Sequence, residues 1–260
     1  MYWVIQENTF NEAGMNELIE ILERADIPHS IHKVVPFVGD IIPDVNPDDN
    51  VIVMGSYALR HIAKRYAWVP GSFDLGDLTY QDHIAKWGEH MLNYGSIFCS
   101  FKESAALVKP EPFFCRPVID SKNFAGAIFY NDEFSEWWEQ VVILEEDDGS
   151  NLRGSTEIMI SPIKNILREY RNWVVDGKVI TSSLYKIGNR VQYSSDVDDD
   201  IIQFAQDRVN EWQPKRAFVI DIALLENGEK KIVETNTFNA AGLYAANIGK
   251  LVDAIEQMEF

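Results

Sequence analysis

Asp221, Glu234 and Asn236 are the residues whose types and spacing point most directly to chemistry. Asp221 interrupts the apolar run Ala217-Phe-Val-Ile-Asp-Ile-Ala-Leu-Leu225. Glu234 and Asn236 lie two apart in Lys231-Ile-Val-Glu-Thr-Asn236, after the turn-like Glu226-Asn-Gly-Glu-Lys230. A carboxylate inside an apolar strand is costly unless something pairs with it. Side chains at i and i+2 of a strand share a face, so Glu234 and Asn236 project together. Three hard oxygen donors on one face suit Mg²⁺, which takes few protein ligands and fills its shell with water and phosphate. The hairpin is therefore a candidate metal–nucleotide site.

Two basic clusters stand out in a chain with few cations to spare. In Phe113-Phe-Cys-Arg-Pro-Val-Ile-Asp-Ser-Lys-Asn-Phe-Ala-Gly126, Arg116 ends an apolar strand and Lys122 sits in the loop to the next. Such a loop can close over a triphosphate, and it is equally a hairpin with two surface cations. The second cluster runs from Ser161-Pro-Ile-Lys-Asn-Ile-Leu-Arg-Glu-Tyr-Arg-Asn-Trp173 to Asp176-Gly-Lys-Val-Ile-Thr-Ser-Ser-Leu-Tyr-Lys186. Glu169 and Arg171 share a strand face. A buried guanidinium needs an anionic partner, which is either Glu169 or a ligand. Lys186 is a further candidate at the end of its strand.

The order of these motifs resembles the ATP-grasp superfamily: Arg-Pro then Lys-x-Phe-x-Gly; Ser-Pro, Arg-Glu-Tyr-Arg, Asp-Gly-Lys and Ser-x-Tyr; Asp-Ile then Glu-Thr-Asn. More narrowly it resembles the clade named for one arginine and two lysines, many of whose members come from phages and bacteria. Met54-Gly55-Ser56, Trp68-Val-Pro-Gly71, and Trp87-Gly88 through Leu92-Asn93 are similar to the clade's leading α/β region. The resemblance implies a pre-ATP-grasp-like α/β domain over 1–95 and an ATP-grasp domain over 96–260. The latter would have a small lid subdomain at about 105–160 and a large subdomain at about 161–260. ATP would lie between the two subdomains, with Mg²⁺ on Asp221, Glu234 and Asn236. Arg116 and Lys122 would meet phosphates, and the hinge from Glu157 through Ser161 to Ile163 would meet adenine. Glu169 joins the nucleotide-contacting set, and Arg171 and Lys186 are the catalytic candidates. The activity implied is ligation of a small-molecule or peptide carboxylate to an amine through an acyl phosphate. A kinase and a non-catalytic acidic protein-binding module are the alternatives.

Composition sets the outer bounds. With 260 residues, 46% apolar and 12% aromatic, the chain can bury a substantial core. Lys+Arg 23 against Asp+Glu 41 gives a net charge of −18, which disfavours nonspecific binding to nucleic acid or anionic membranes. Cys99 and Cys115 lie in apolar surroundings without metal-ligand spacing, as reduced thiols of a cytoplasmic protein do. The first residues carry no signal-peptide pattern, and no apolar stretch approaches a membrane span. Gln6-Glu-Asn-Thr-Phe10 stands where a dinucleotide-binding fold needs Gly-x-Gly-x-x-Gly.

The elements that must position these residues follow from periodicity. Strands are expected at Tyr2–Gln6, Ser30–Val35 and Val51–Met54, with helices at Met15–Ala25, from Gly55-Ser56 to Arg65, and at Tyr80–Leu92. This is an open α/β arrangement with a mainly parallel sheet. Further strands are expected at Phe98–Phe101, Ala106–Lys109, Phe113–Pro117, Ala125–Phe129, Val141–Leu144, Glu157–Ile160, Glu169–Val175 and Lys178–Lys186. Helices are expected at Asn131–Gln140 and Asp200–Trp212, the latter with Asp198 to Asp200 complementing its N-terminus. Glu145–Gly154 reads as a solvated acidic loop. Asp176-Gly177 marks a tight hairpin.

Overall fold

The computed structural model describes all residues except 8–12, 36–38, 49, 77, 108, 110, 119–123 and 144–151. It divides into two compact units, Met1–Asp77 with Ile166–Phe260, and Leu78–Asn165.

The first unit opens with β1 (Tyr2–Gln6), α1 (Ala13–Arg24), β2 (His29–Val35), β3 (Asp40–Ile42), β4 (Val51–Met54), α2 (Leu59–Arg65) and β5 (Pro70–Gly71). The sheet order is β3-β2-β1-β4-β5, with β1, β2, β4 and β5 parallel and β3 antiparallel at one edge. The parallel sheet is as expected; β3 lies in a stretch for which no strand is expected. The chain leaves β4 at Gly55, whose φ is 153° and whose absent Cβ would sit 2.4 Å from Gln6 Cβ. The Gln6 side chain accepts from Ser56 N at 2.9 Å. These contacts hold residues 55–56 in a turn, so α2 begins at Leu59.

The second unit comprises α3 (Tyr80–Trp87), β6 (Ile97–Ser100), β7 (Phe113–Pro117), β8 (Ala127–Phe129), α4 (Asn131–Ile143) and β9 (Glu157–Pro162). Thr79 and Asp82 form a reciprocal capping box on α3. That helix is shorter than expected: Gly88, at φ 52°, starts a 3-10 turn over Gly88–His90. The antiparallel sheet β6-β9-β7-β8 packs Phe113, Cys115, Ile158 and Ile160 around Phe134 of α4. Among the described residues, two expected strands are absent. Val141 continues α4, because Phe134, Trp137, Trp138 and Val141 fall at helical spacing and pack on this core. The helix ends at Ile143, and Leu144 falls outside the described residues. At Ala106–Lys109 the chain instead leaves a 3-10 turn, Glu103–Ala106, and Lys109 folds back to the Ser104 carbonyl at 2.7 Å. The expected loop Glu145–Gly154 falls mostly outside the described residues.

The first unit resumes with β10 (Ile166–Val175), β11 (Lys178–Ile187), β12 (Arg190–Ser194), α5 (Asp199–Glu211), β13 (Ala217–Leu225), β14 (Lys230–Thr237) and α6 (Ile248–Glu256). These strands form an antiparallel sheet, β12-β11-β10-β13-β14. Asp176 and Gly177 both have positive φ, 43° and 77°, as a two-residue hairpin requires. Trp173, Val175, Ala217 and Val219 share one core with Trp3, Ile5, Leu18, Leu22, Ile52 and the apolar side of α6. One continuous core thus joins strands from both ends of the chain.

Candidate functional site

The charged residues of β10, β11, β13 and β14 converge because antiparallel register places them side by side. Arg171 pairs with Asp221, Asp221 with Glu234, and Glu169 with Lys186. Residues opposite one another across strands share a face. Asn236 pairs with Val219, two positions from Asp221, and stays on that face. Trp173 and Val219 continue the face into the core, so the polar row is anchored at one end by close packing.

Arg171 donates from Nε to Asp221 Oδ1 at 3.0 Å and from Nη2 to Asp221 Oδ2 at 2.8 Å. The alternative of a pair with Glu169 gives way to this one: the residue directly across a strand is nearer than the residue two along. Asp221 is 1% exposed, and burial pushes its carboxyl up to about 6, with Arg171 opposing and Glu234 and Glu169 reinforcing. Burial works against the Arg171 charge, but Asp221 outweighs it and holds the guanidinium above its ordinary value. At neutral pH the pair is ionised. Glu169, also buried, accepts from Lys186 Nζ at 2.7 Å and from the Tyr185 hydroxyl at 2.8 Å. Burial first, then Asp221 and Glu169, push the Tyr185 phenol well up, so it stays a donor.

Asn236 Nδ2 lies 3.3 Å from Asp221 Oδ2 and 3.2 Å from Glu234 Oε1. An amide is turned over at little cost when a neighbouring charge favours its oxygen. Two carboxylates and one amide oxygen are then in reach of a common cation. Among the described residues no group of three or more His, Cys, Asp or Glu is arranged to hold a metal. A cation here therefore has a sparse protein shell of hard oxygens, which fits Mg²⁺ bound together with phosphate and water. The carboxylates crowding Asp221 supply the attraction.

An aromatic wall that no sequence candidate includes stands beside Arg171. Tyr244 stacks between Tyr185 and Tyr193, at centroid distances of 5.3 and 4.8 Å. The Arg171 guanidinium carbon lies 4.7 Å from the Tyr244 ring centre. Tyr244 adopts φ 49°, a strained value for a bulky residue, held by these contacts. No local pattern announces it; only the odd tyrosine after Ala241-Gly242-Leu243 was available as a signal.

The remaining sequence candidates lie in the second unit. Arg116, on β7, is half-buried, with its guanidinium 6.0 Å from the Tyr80 ring centre. Ser161 is buried on β9 and donates its hydroxyl to Asn93 Oδ1 at 3.2 Å. Ile163 follows β9 and is half-buried. Lys122 lies outside the described residues.

A family model for an ATP-grasp domain, the second family of the clade named for one arginine and two lysines, matches residues 97–254. No curated protein matches the chain by sequence. Among solved structures, the ATP-grasp ligase PsnB complexed with minimal precursor superposes with a TM-score of 0.63 at 12% identity, over 98% of this chain and 97% of that one. D-cycloserine synthetase DcsG gives 0.62 at 11% identity, covering 98% of each chain. D-alanine–D-alanine ligase from Bacillus anthracis gives 0.57 at 13%, over 98% and 92%. PsnB has also been solved with precursor peptide PsnA2 and AMPPNP, and with minimal precursor, Mg and ADP. At these identities the likeness speaks to fold.

Proposed function

The chain belongs to the ATP-grasp domains of the one-arginine, two-lysine clade, and on that premise we propose that it is an ATP- and Mg²⁺-dependent ligase joining a carboxylate to an amine. The observation that carries this reading is the row Glu169, Arg171, Lys186, Asp221, Glu234 and Asn236 on one face of one sheet. It offers cations and hard oxygens and no nucleophile–base pair, which suits chemistry governed by positioning and charge.

In the proposed reaction a substrate carboxylate oxygen attacks the γ-phosphorus of ATP, and the bond to the β–γ bridging oxygen breaks, releasing ADP. The amine then attacks the acyl carbon, phosphate leaves, and the nitrogen gives up a proton. Asp221, Glu234 and Asn236 would hold Mg²⁺, which supplies charge neutralisation at the phosphates. Arg171 is fixed by two bonds to Asp221 and by the Tyr244 ring, so its charge needs no reorganisation as phosphoryl charge develops. Glu169 holds Lys186 on the same face. Arg116 and Lys122 are the proposed phosphate contacts of the second unit, with adenine at the segment through Ser161 and Ile163. Amino acids and peptides are the substrate classes to try first, as PsnB has been solved with a precursor peptide.

The test is ADP release with Mg·ATP across panels of amino acids and peptides, with products identified by mass. An amide product supports ligation, and a stable phosphorylated product refutes it in favour of phosphoryl transfer. Glu234→Gln and Asp221→Ala should abolish turnover, and a folded Glu234→Gln protein with full activity refutes the metal assignment.

A further inference from the structure

The motif Trp68-Val-Pro-Gly71 takes no part in the site above, yet its Trp68 and Pro70 line a cavity of about 430 Å³ between α2 and the edge strand β5. We infer that this cavity is a binding site for a small ligand carrying a carboxylate or a phosphate. It lies wholly within the first unit and does not rest on the ligase reading.

Charge contrast is the first observation. The chain carries −18 overall, but residues 51–73 contain no Asp or Glu, while Arg60, His61, Lys64 and Arg65 follow one another on α2. Three of these, Arg60, His61 and Lys64, line the cavity. Arg65 is spent elsewhere, on Asp40 at 2.8 Å. Asp74, the acid in the lining, is also occupied: it accepts from the Tyr57 hydroxyl at 2.8 Å and Gly76 N at 3.2 Å, and faces Arg60 Nε at 3.6 Å. The Lys64 ammonium and the His61 ring have no hydrogen bond or ion pair among the described residues. Uncompensated positive charge around a concavity attracts anions.

The second observation is an unmet donor. Trp68 lines the cavity, is 9% exposed, and its indole N–H has no acceptor among the described residues. A buried donor left unpaired is costly; this N–H lies beneath the cavity surface, where its dipole adds to the positive potential of the wall. The wall is also rigid. Gly71 turns at φ 64°, where a Cβ would come within 2.7 Å of the Trp68 carbonyl, and the Trp68 ring stacks on Tyr66 at 5.0 Å. Pro70, Ala63 and Ala67 give the cavity an apolar side, and its volume falls within the ordinary range of small-molecule sites. A preformed wall beside the free Lys64 ammonium, with an apolar side opposite, matches a ligand with an anionic head and a compact apolar body.

The experiment is calorimetric titration of the intact chain at low ionic strength with inorganic phosphate, succinate and the dipeptide Ala-Glu, separately. Saturable binding of at least one is expected, and whichever binds distinguishes a phosphate from a carboxylate ligand. Lys64→Glu, on the exposed side of α2, should leave the circular dichroism unchanged and weaken binding about tenfold or more. Trp68→Phe, which keeps an aromatic ring and removes the N–H dipole, should weaken it by a smaller factor. Absence of binding by all three probes to the wild-type chain, or equal binding by the Lys64→Glu protein, overturns the inference.

Discussion

Asn239 gives the sharpest test of how the first unit is assembled. It follows β14 in a 3-10 turn, Phe238–Ala240, and is 4% exposed. Its Nδ2 donates to the Val53 carbonyl at 2.6 Å, and its Oδ1 accepts from Phe73 N at 2.7 Å. Its own carbonyl accepts from Gly55 N at 2.9 Å. One side chain therefore joins the end of the candidate metal strand to the ends of β4 and β5. Asn239→Ala removes these two bonds and a longer one from the Ser72 hydroxyl at 3.5 Å, and strands two buried backbone groups, each costing about 1–3 kcal/mol. The expected loss is thus roughly 2–6 kcal/mol, a fall in Tm on the order of 10 °C for a chain of this size. Asn239→Asp keeps the acceptor for Phe73 N but sets a carboxylate against the Val53 carbonyl, so it should be no better than alanine. Urea unfolding followed by circular dichroism measures both. A loss below about 1 kcal/mol for alanine, or recovery by aspartate, refutes the reasoning.

Two further outcomes are expected. Burial pushes Cys99 up to about 11 and Cys115 up to about 12, so neither thiol should react readily with Ellman's reagent at neutral pH until denaturant is added. Both folded values lie above the ordinary one, so the linked stability is complete below the ordinary thiol pKa and is lost as pH rises toward 11–12. Immediate reaction of both in the native state would contradict the burial. Gly55→Ala forces a Cβ to within 2.4 Å of Gln6 Cβ at φ 153° and should cost roughly 1–3 kcal/mol by thermal unfolding; an unchanged Tm would show that the turn relaxes.

The site was legible where chemistry shows in a local pattern. Asp221 inside an apolar run and Glu234 two before Asn236 are pairwise signals, and the β13–β14 register sets Asp221 and Glu234 opposite each other. The partner of Arg171 was not legible, because it depends on which strand lies beside β10. Tyr244 and Asn239 act through contacts far away in sequence, which no periodicity announces. The same limit operated on the fold. Val141-Val-Ile-Leu144 has strand propensity, yet the aromatic core of the second unit holds its first three residues in α4. β12 and α6 went unread; β12 is an exposed edge without alternation, whereas α6 buries Ile248, Leu251, Val252 and Ile255 at helical spacing.

The first unit is built from Met1–Asp77 and Ile166–Phe260, and its core sets Trp3, Leu18 and Ile52 against Trp173, Val219 and Ile255. During synthesis the early strands and α1 therefore wait for their partners. At 5–20 residues per second, the stretch from Asp77 to Phe260 takes roughly 10–40 s to make. Over that interval Trp3, Ile5, Leu18 and Ile52 lack the other half of their core, and the parallel edges of the nascent sheet are open to wrong partners. The second unit, contiguous at Leu78–Asn165, can close first. The unit whose synthesis begins first is then the last to fold, and a nascent chain stalled near residue 165 should recruit chaperones through its own N-terminal strands.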